Sequence, residues 1–182
     1  MKQIVGALAL LAAALGCAGE VLAQPAPAAG PQMPSGLSQA TSGTFRVIQI
    51  ETIDPRGFMA AWANRKEQVS LPTSGGTVRN QPIFTYIIFN GCKMDERGNC
   101  NINTAFEVYD PDGQVYSRHA SQPQWIGPPD PDGRIMLGVS AMNLVIVKGE
   151  KLGTYHVRTF TVDKVANVSV SNDIPVTVSE AK

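Results

Sequence analysis

Charged and aromatic residues are both scarce in this 182-residue chain. Charged residues make up 16% of the sequence and aromatic residues 7%, and 15 lysines and arginines balance 15 aspartates and glutamates. Because the chain has no basic excess with which to hold a polyphosphate, we expect no nucleic-acid partner. The long apolar run lies at the N-terminus and is too short to span a bilayer, which excludes a polytopic membrane protein. The length is that of one domain.

Sequence motifs of catalysis are missing as well. The chain contains no G-x-S-x-G, no H-E-x-x-H and no glycine-rich phosphate loop. Its two histidines, His119 and His156, are too few to complete a metal site with the cysteines. We therefore expect a protein that is not an enzyme and that carries no metal or cofactor. The alternative is a small hydrolase or metal-handling enzyme with a pocket around one of these histidines.

Two Asp-Pro-Asp-Gly segments, residues 110–113 and 130–133, match the opening of a calcium loop. A calcium loop continues with further oxygen ligands and closes with a bidentate glutamate, and neither segment does so. Proline suits the second position of a turn, and glycine tolerates a positive φ. We interpret both segments as turns.

The first residues are predicted to direct export. Lys2 precedes an apolar stretch over residues 4–15, and the Val-Leu-Ala that ends the segment 1–23 suits signal peptidase. The competing interpretation is a lipoprotein, because Ala-Leu-Gly before Cys17 resembles a lipobox and would make an acylated Cys17 the first mature residue. The sequence thus predicts a periplasmic or secreted protein, or alternatively an outer-membrane lipoprotein. Membrane contact is expected only if Cys17 is lipidated.

Residues 24–43 differ in composition from the rest of the chain. They contain four prolines, three glycines and no charge. Few of their side chains could bury much apolar area, so we predict a disordered linker between the signal peptide and a folded domain over residues 44–180.

The domain is predicted to be all-β. Apolar and polar residues alternate over 102–109, which is the period of a half-buried strand. Pro175 falls on the parity opposite to the apolar residues around it, which argues for an edge strand there. Seven short strands favour an antiparallel β-sandwich or barrel. The predicted strands are 45–51, 82–89, 102–109, 114–118, 141–147, 154–163 and 167–178.

One segment, near residues 55–64, is predicted to form a short helical turn. Asp54 and Pro55 can open it, and Phe58 and Trp62 share one face. We expect this turn to cover one open end of the sandwich. An aromatic platform for a ligand is the functional alternative.

The C-terminal half resembles immunoglobulin-like domains. The Gly-x-Tyr of Gly153 to Tyr155 looks like the corner before strand F of such domains, and residues 162–169 are similar to the F–G turn of bacterial Ig-like and fibronectin-III-like modules. Residues 80–180 are also similar to a group of short proteobacterial secreted proteins. The resemblance implies an Ig-like fold, an exported location, and a structural role for Tyr155 in which its hydroxyl bonds to the backbone upstream.

Two cysteines remain after export, Cys92 and Cys100, with seven residues between them. In an oxidising compartment they should pair, and closing so small a loop stabilises a fold by about 2–3 kcal/mol. The alternatives are metal binding and redox chemistry.

Residues 121–134 are the most unusual surface candidate. Several prolines and glycines surround Trp125 and Ile126, so we expect an irregular loop. Trp125 either anchors a partner or packs against the sandwich edge.

Together these features predict a non-catalytic binding or structural module of the bacterial cell envelope. It would contact unidentified envelope proteins at an edge strand or through the loop around Trp125 and Ile126. The alternative is a lipid-anchored outer-membrane accessory protein.

Overall fold

The computed structural model describes residues 34–64 and 70–181. The predicted signal peptide, Cys17 and the first part of the predicted linker lie outside the described residues. Within the described part, no helix is long and apolar enough to cross a membrane.

The described chain is mostly strand, which confirms the all-β prediction. Its elements are β1 (Leu37–Ser42), β2 (Phe45–Thr52), α1 (Pro55–Ala63), β3 (Gly76–Val78), β4 (Ile83–Asn90), β5 (Cys100–Tyr109), β6 (Val115–Gly127), β7 (Met136–Leu137), β8 (Met142–Leu144), β9 (Gly153–Asp163) and β10 (Val168–Ser179).

The strands form two five-stranded sheets. The first sheet has the order β1-β2-β4-β7, with β8 also paired to β4, and all its pairs are antiparallel. The second sheet has the order β3-β10-β9-β5-β6. It is mixed, because β3 runs parallel to β10 while the other pairs are antiparallel. Strands β1 and β6 therefore lie at sheet edges.

One apolar core joins the facing sides of the two sheets. Alternate residues of β2, β4, β5, β9 and β10 point into it, as the period of two requires. Examples from the two sheets are Val47, Ile87, Phe106, Val157 and Val176, each fully buried. Since the inward side chains of both sheets share this cluster, the two sheets stabilise one another.

Helix α1 covers the outer face of the first sheet and not an end of the core. Asp54 caps it by accepting the Gly57 N–H at 2.8 Å. Phe58 stacks on Tyr86 of β4, with ring centroids 4.1 Å apart. The predicted position was wrong because β4 is apolar on both faces, and its outward side chains provide the surface that the helix buries.

Two other boundaries differ from the prediction. Strand β1 lies within the segment predicted as linker. It has little apolar pattern of its own, and its backbone pairing with β2 over six residues defines it. Strand β6 continues to Gly127, so the irregular loop predicted from residue 121 was wrong. Pro123 fits this strand because an edge strand needs no second partner for its N–H. With β3 and β7, which are too short for a pattern, the total is ten strands and not seven.

A polar layer lies between the sheets. Gln49 donates from Nε2 to the Val157 carbonyl at 3.0 Å, and Thr159 donates to Gln49 Oε1 at 2.9 Å. These two bonds connect β2 directly with β9 across the core. Thr104 and Thr161 share a further buried hydrogen bond of 2.9 Å within the second sheet.

Glu51 is the charged member of this layer. Its side chain is fully buried and accepts hydrogen bonds from Gln49 at 2.9 Å and from Thr85 at 2.8 Å. Among the described residues, no lysine, arginine or histidine bonds to it. Burial raises the pKa of Glu51 from 4.5 to about 7, against the lowering effect of the two hydrogen bonds.

We expect this carboxyl to make stability depend on pH. Because its pKa is higher in the folded than in the unfolded chain, its contribution is complete below pH 4.5 and is lost as the pH rises through 7. The free energy of unfolding should fall by about 3 kcal/mol across this range through Glu51 alone. In Glu51→Gln that fall should be absent, as measured by urea unfolding between pH 5 and pH 8. The histidines titrate alike in both proteins, so parallel pH profiles would contradict the assignment.

Candidate interaction site

An open cleft lies where α1, β6 and β7 meet. Its volume is about 270 Å³, and its lining is mainly aromatic and aliphatic: Trp62, Trp125, Pro128, Pro129, Asp130, Met136 and Leu137. The two tryptophans come from segments far apart in sequence, one on the helix and one on the edge strand. The cleft is thus a product of the tertiary fold.

Trp125 is partly buried and forms one wall of this cleft. Its ring meets Phe89 edge to face, with centroids 6.3 Å apart. Its Nε1 donates to the carbonyls of Gly127 at 3.2 Å and Pro128 at 3.1 Å. These contacts fix the ring, so it offers a preformed apolar surface with little entropy left to lose on binding.

The segment after Trp125 is held in shape by Asp130. Its Oδ1 accepts the backbone N–H of Asp132 at 3.0 Å and the Nε of Arg134 at 3.1 Å. The hydrogen bond from Arg134 lowers the pKa of Asp130 below its usual value. Because the charge of this carboxylate is balanced locally, the cleft presents an apolar wall and not an acidic site.

Two aliphatic side chains near this cleft protrude into solvent. Ile126 is 68% exposed and Val139 is 71% exposed, the highest values among the described large hydrophobic residues. The Val139 N–H donates to the Gln124 carbonyl at 2.9 Å, which places Val139 beside β6 two residues from Ile126. We call Trp125, Ile126 and Val139 the edge patch. Exposed apolar groups gathered in this way are typical of interaction surfaces.

Tyr155 has the geometry that the Ig-like resemblance implies. The residue is buried, and its hydroxyl donates to the Lys151 carbonyl at 2.8 Å. Its ring meets Tyr116 edge to face at 5.5 Å. These contacts attach the start of β9 to the loop before it, far from the edge patch.

The disulfide between Cys92 and Cys100 is confirmed, with the Cα atoms 5.9 Å apart. Its loop is attached to the β9–β10 turn by Asp163. That buried carboxylate accepts the N–H of Lys93 at 2.7 Å, of Val165 at 3.0 Å and of Ala166 at 3.1 Å. The loop and the turn therefore form one ordered end of the domain. A disulfide fits an oxidising environment.

The structure does not bring the two histidines together with a candidate nucleophile. His119 is exposed on β6 opposite Phe106, and His156 Nδ1 lies 2.9 Å from Asp173 Oδ1. Among residues 34–64 and 70–181, no group of three or more potential ligands could hold a metal ion.

Both Asp-Pro-Asp-Gly segments form turns, and each pairs with a cation of the chain itself. Lys151 Nζ lies 2.6 Å from Asp110 and 2.5 Å from Asp112. The hydrogen bond from Lys151 is the main cause that lowers the pKa of Asp110. Arg134 takes the corresponding place at the second turn.

Sequence reasoning missed the polar layer and Val139. Gln49 and Glu51 share their parity with the apolar Phe45 and Val47, so the alternation of β2 already indicated that they point inward. No local signal marked Val139, because its exposure depends on how the chain crosses from β7 to β8.

Comparisons with known proteins give little. No protein-family model matches the sequence, and no curated protein matches it. Among solved structures, the chain is similar to a family 123 glycoside hydrolase from Clostridium perfringens, described in connection with the hydrolysis of glycolipid glycans. The match covers 76% of this chain and 28% of the enzyme chain, with 10% identity and a TM-score of 0.45.

This finding corrects the prediction that the chain is not an enzyme, because the similar structure is that of a glycoside hydrolase. We withdraw that prediction. The chain spans less than a third of the enzyme's length, and a similarity at this level transfers no reaction, substrate or residue role.

The disulfide should contribute to stability through the loop it closes. Replacing both Cys92 and Cys100 with alanine should lower the free energy of unfolding by about 2–3 kcal/mol, because the unfolded chain regains the freedom of that loop. Urea unfolding with and without reductant measures this. Reductant should destabilise the natural protein and leave the double variant unchanged. Equal stability of the oxidised protein and the variant would contradict the expectation.

Proposed function

We propose that this protein is an exported binding or structural module of the bacterial cell envelope that acts through protein–protein contacts. The observation that carries the proposal is the edge patch, which lies beside a preformed aromatic cleft. Ile126 and Val139 protrude beside Trp125, whose ring is fixed by two hydrogen bonds and by Phe89. A rigid aromatic group with exposed aliphatic neighbours is the arrangement in which interface energy concentrates.

The proposal includes an Ig-like fold and a periplasmic or secreted location. Two packed sheets and the bond from Tyr155 to Lys151 support the fold, since that bond is typical of the corner before strand F. The Cys92–Cys100 disulfide supports export, because such bonds persist in oxidising compartments. The balanced charge of the chain gives no reason to expect a strongly acidic or basic partner.

Site-specific crosslinking in cells tests the edge patch. A photoreactive amino acid at Ile126 or Val139 should give one crosslinked envelope protein, whereas the same group at Val147 should not. Val147 is a matched control because it is also exposed, at 48%, but lies in the loop before the opposite end of β9. A second change, Trp125→Ala, should reduce the crosslink at least tenfold, since it removes the fixed wall of the cleft. Equal products from all three positions would reject a specific contact there.

Intact mass of the protein purified from the native envelope tests export. A mass that begins at Gln24 is expected for a periplasmic or secreted protein, and reduction of the disulfide should add two hydrogens. A mass that begins at Cys17 with a lipid increment would instead establish the lipid-anchored alternative. A mass that begins at Met1 would contradict both.

A further inference from the structure

The second sheet has an unpaired edge along β10. Strand β3 pairs with β10 only over Thr177–Ser179, and upstream of this pair β10 has β9 on one side and no ladder partner on the other within the described chain. The Thr177 N–H donates toward β3, to the Gly75 carbonyl at 2.9 Å. Because backbone groups alternate sides along a strand, the N–H and C=O groups of Ser169, Ser171 and Asp173 point to the same open side. They form no hydrogen bond to a described backbone group there.

The open part of β10 has none of the features that protect sheet edges. It is regular, since its register with β9 runs without a break from Val168 to Val178. Asp173 is the charged residue on it, and both Arg158 and His156 neutralise that charge, at 2.7 Å and 2.9 Å. Natural edges are usually blocked by bulges, charges or covering segments.

Strand β6, the opposite edge of the same sheet, is protected in these ways. Its register with β5 is interrupted at three places, and it contains Pro123. The segment after β7 also covers it, because Val139 donates to the Gln124 carbonyl at 2.9 Å. The contrast between the two edges shows that protection is available to this sheet and is missing at β10.

A buried amide beside the open edge lacks a hydrogen-bond partner. Asn172 is 4% exposed, and its Oδ1 accepts from Ser38 of β1 at 3.1 Å. Its Nδ2 has no acceptor. Since Ser38 belongs to the strand that flanks β10 on its open side, the amide is directed to that flank. A buried donor without an acceptor costs about 1–3 kcal/mol, which a partner could recover.

We propose that the edge of β10 from Ser169 to Asp173 accepts an extended, uncharged segment of a partner protein as an additional strand. The backbone of the segment would bond to Ser169, Ser171 and Asp173. On its inward face, a hydroxyl or amide side chain would accept from Asn172, between two apolar residues placed next to Val170 and Ile174. This surface is separate from the edge patch, so the proposal does not depend on the partner that binds there.

Two synthetic peptides test the proposal on the full mature protein. The first is an acetylated and amidated heptapeptide, Thr-Val-Thr-Thr-Thr-Val-Thr, whose inward face reads valine, threonine, valine. The second has valine at its centre and lacks the acceptor for Asn172. The first peptide should produce saturable NMR shifts and slower amide exchange at Ser169, Ser171 and Asp173. It should bind about fivefold more tightly than the second, the ratio expected for one net hydrogen bond.

Variants assign the contacts. In Asn172→Val the difference between the peptides should disappear. Ser171→Pro removes an outward N–H and should weaken both peptides at least tenfold, whereas Ser171→Thr keeps that N–H and should bind as the natural protein does. Proline should be tolerated at 171 because Pro175 already occupies the same parity of this strand. Ile126→Ser should leave peptide binding unchanged, which separates this site from the edge patch.

Three results would overturn the proposal. The first is the absence of saturable shifts along Ser169–Asp173 in the natural protein, a measurement that needs no variant. The second is equal affinity for the two peptides, which would remove the role of Asn172. The third is a dimer of the natural protein that Ser171→Pro dissociates, because the occupant of the edge would then be a second copy of this chain.

Discussion

The Gln49 amide connects the two sheets through the middle of the core, and the rest of the interior is arranged around it. Its oxygen accepts from Thr159 and its nitrogen donates to the Val157 carbonyl, so it fixes the offset of β2 relative to β9. An apolar core alone would tolerate several offsets, whereas a buried amide is satisfied in few of them. Glu51 and Thr85 extend the same network within the first sheet. Specificity of packing is thus obtained at the cost of burying a carboxyl group that has no cation partner.

The edges of the sheets are treated differently from one another. On β6, breaks in register and a covering segment leave side chains as the means of contact, and Ile126 is the most exposed of them. On β10, a regular backbone is accessible and the side chains are small. The two surfaces therefore suit different kinds of recognition, one through apolar side chains and one through main-chain hydrogen bonds. A module with both could hold two segments of the same assembly.

Local patterns predicted the long strands, and long-range contacts decided the rest. Alternation identified β5, β9 and β10, and Pro175 does lie where β10 has a partner on one side only. Strand β1 carried no apolar pattern and exists because β2 pairs with it, which no local window could reveal. The prolines around Trp125 were taken as a loop because their compatibility with an edge strand depends on a topology not visible in the sequence. The cleft likewise required knowing that α1 lies on the outer face of the first sheet, where Trp62 approaches Trp125.

The separations in sequence of the main crosslinks imply an order of assembly. Cys92 and Cys100 are eight positions apart, so their bond needs only the closing of a short loop. Gln49 and Val157 are separated by 108 positions, and Ser38 and Asn172 by 134. A chain that is exported from its N-terminus can therefore close its disulfide while its interior is still open. The central layer of the domain forms only after the last two strands arrive, and until then the carboxyl of Glu51 remains in water.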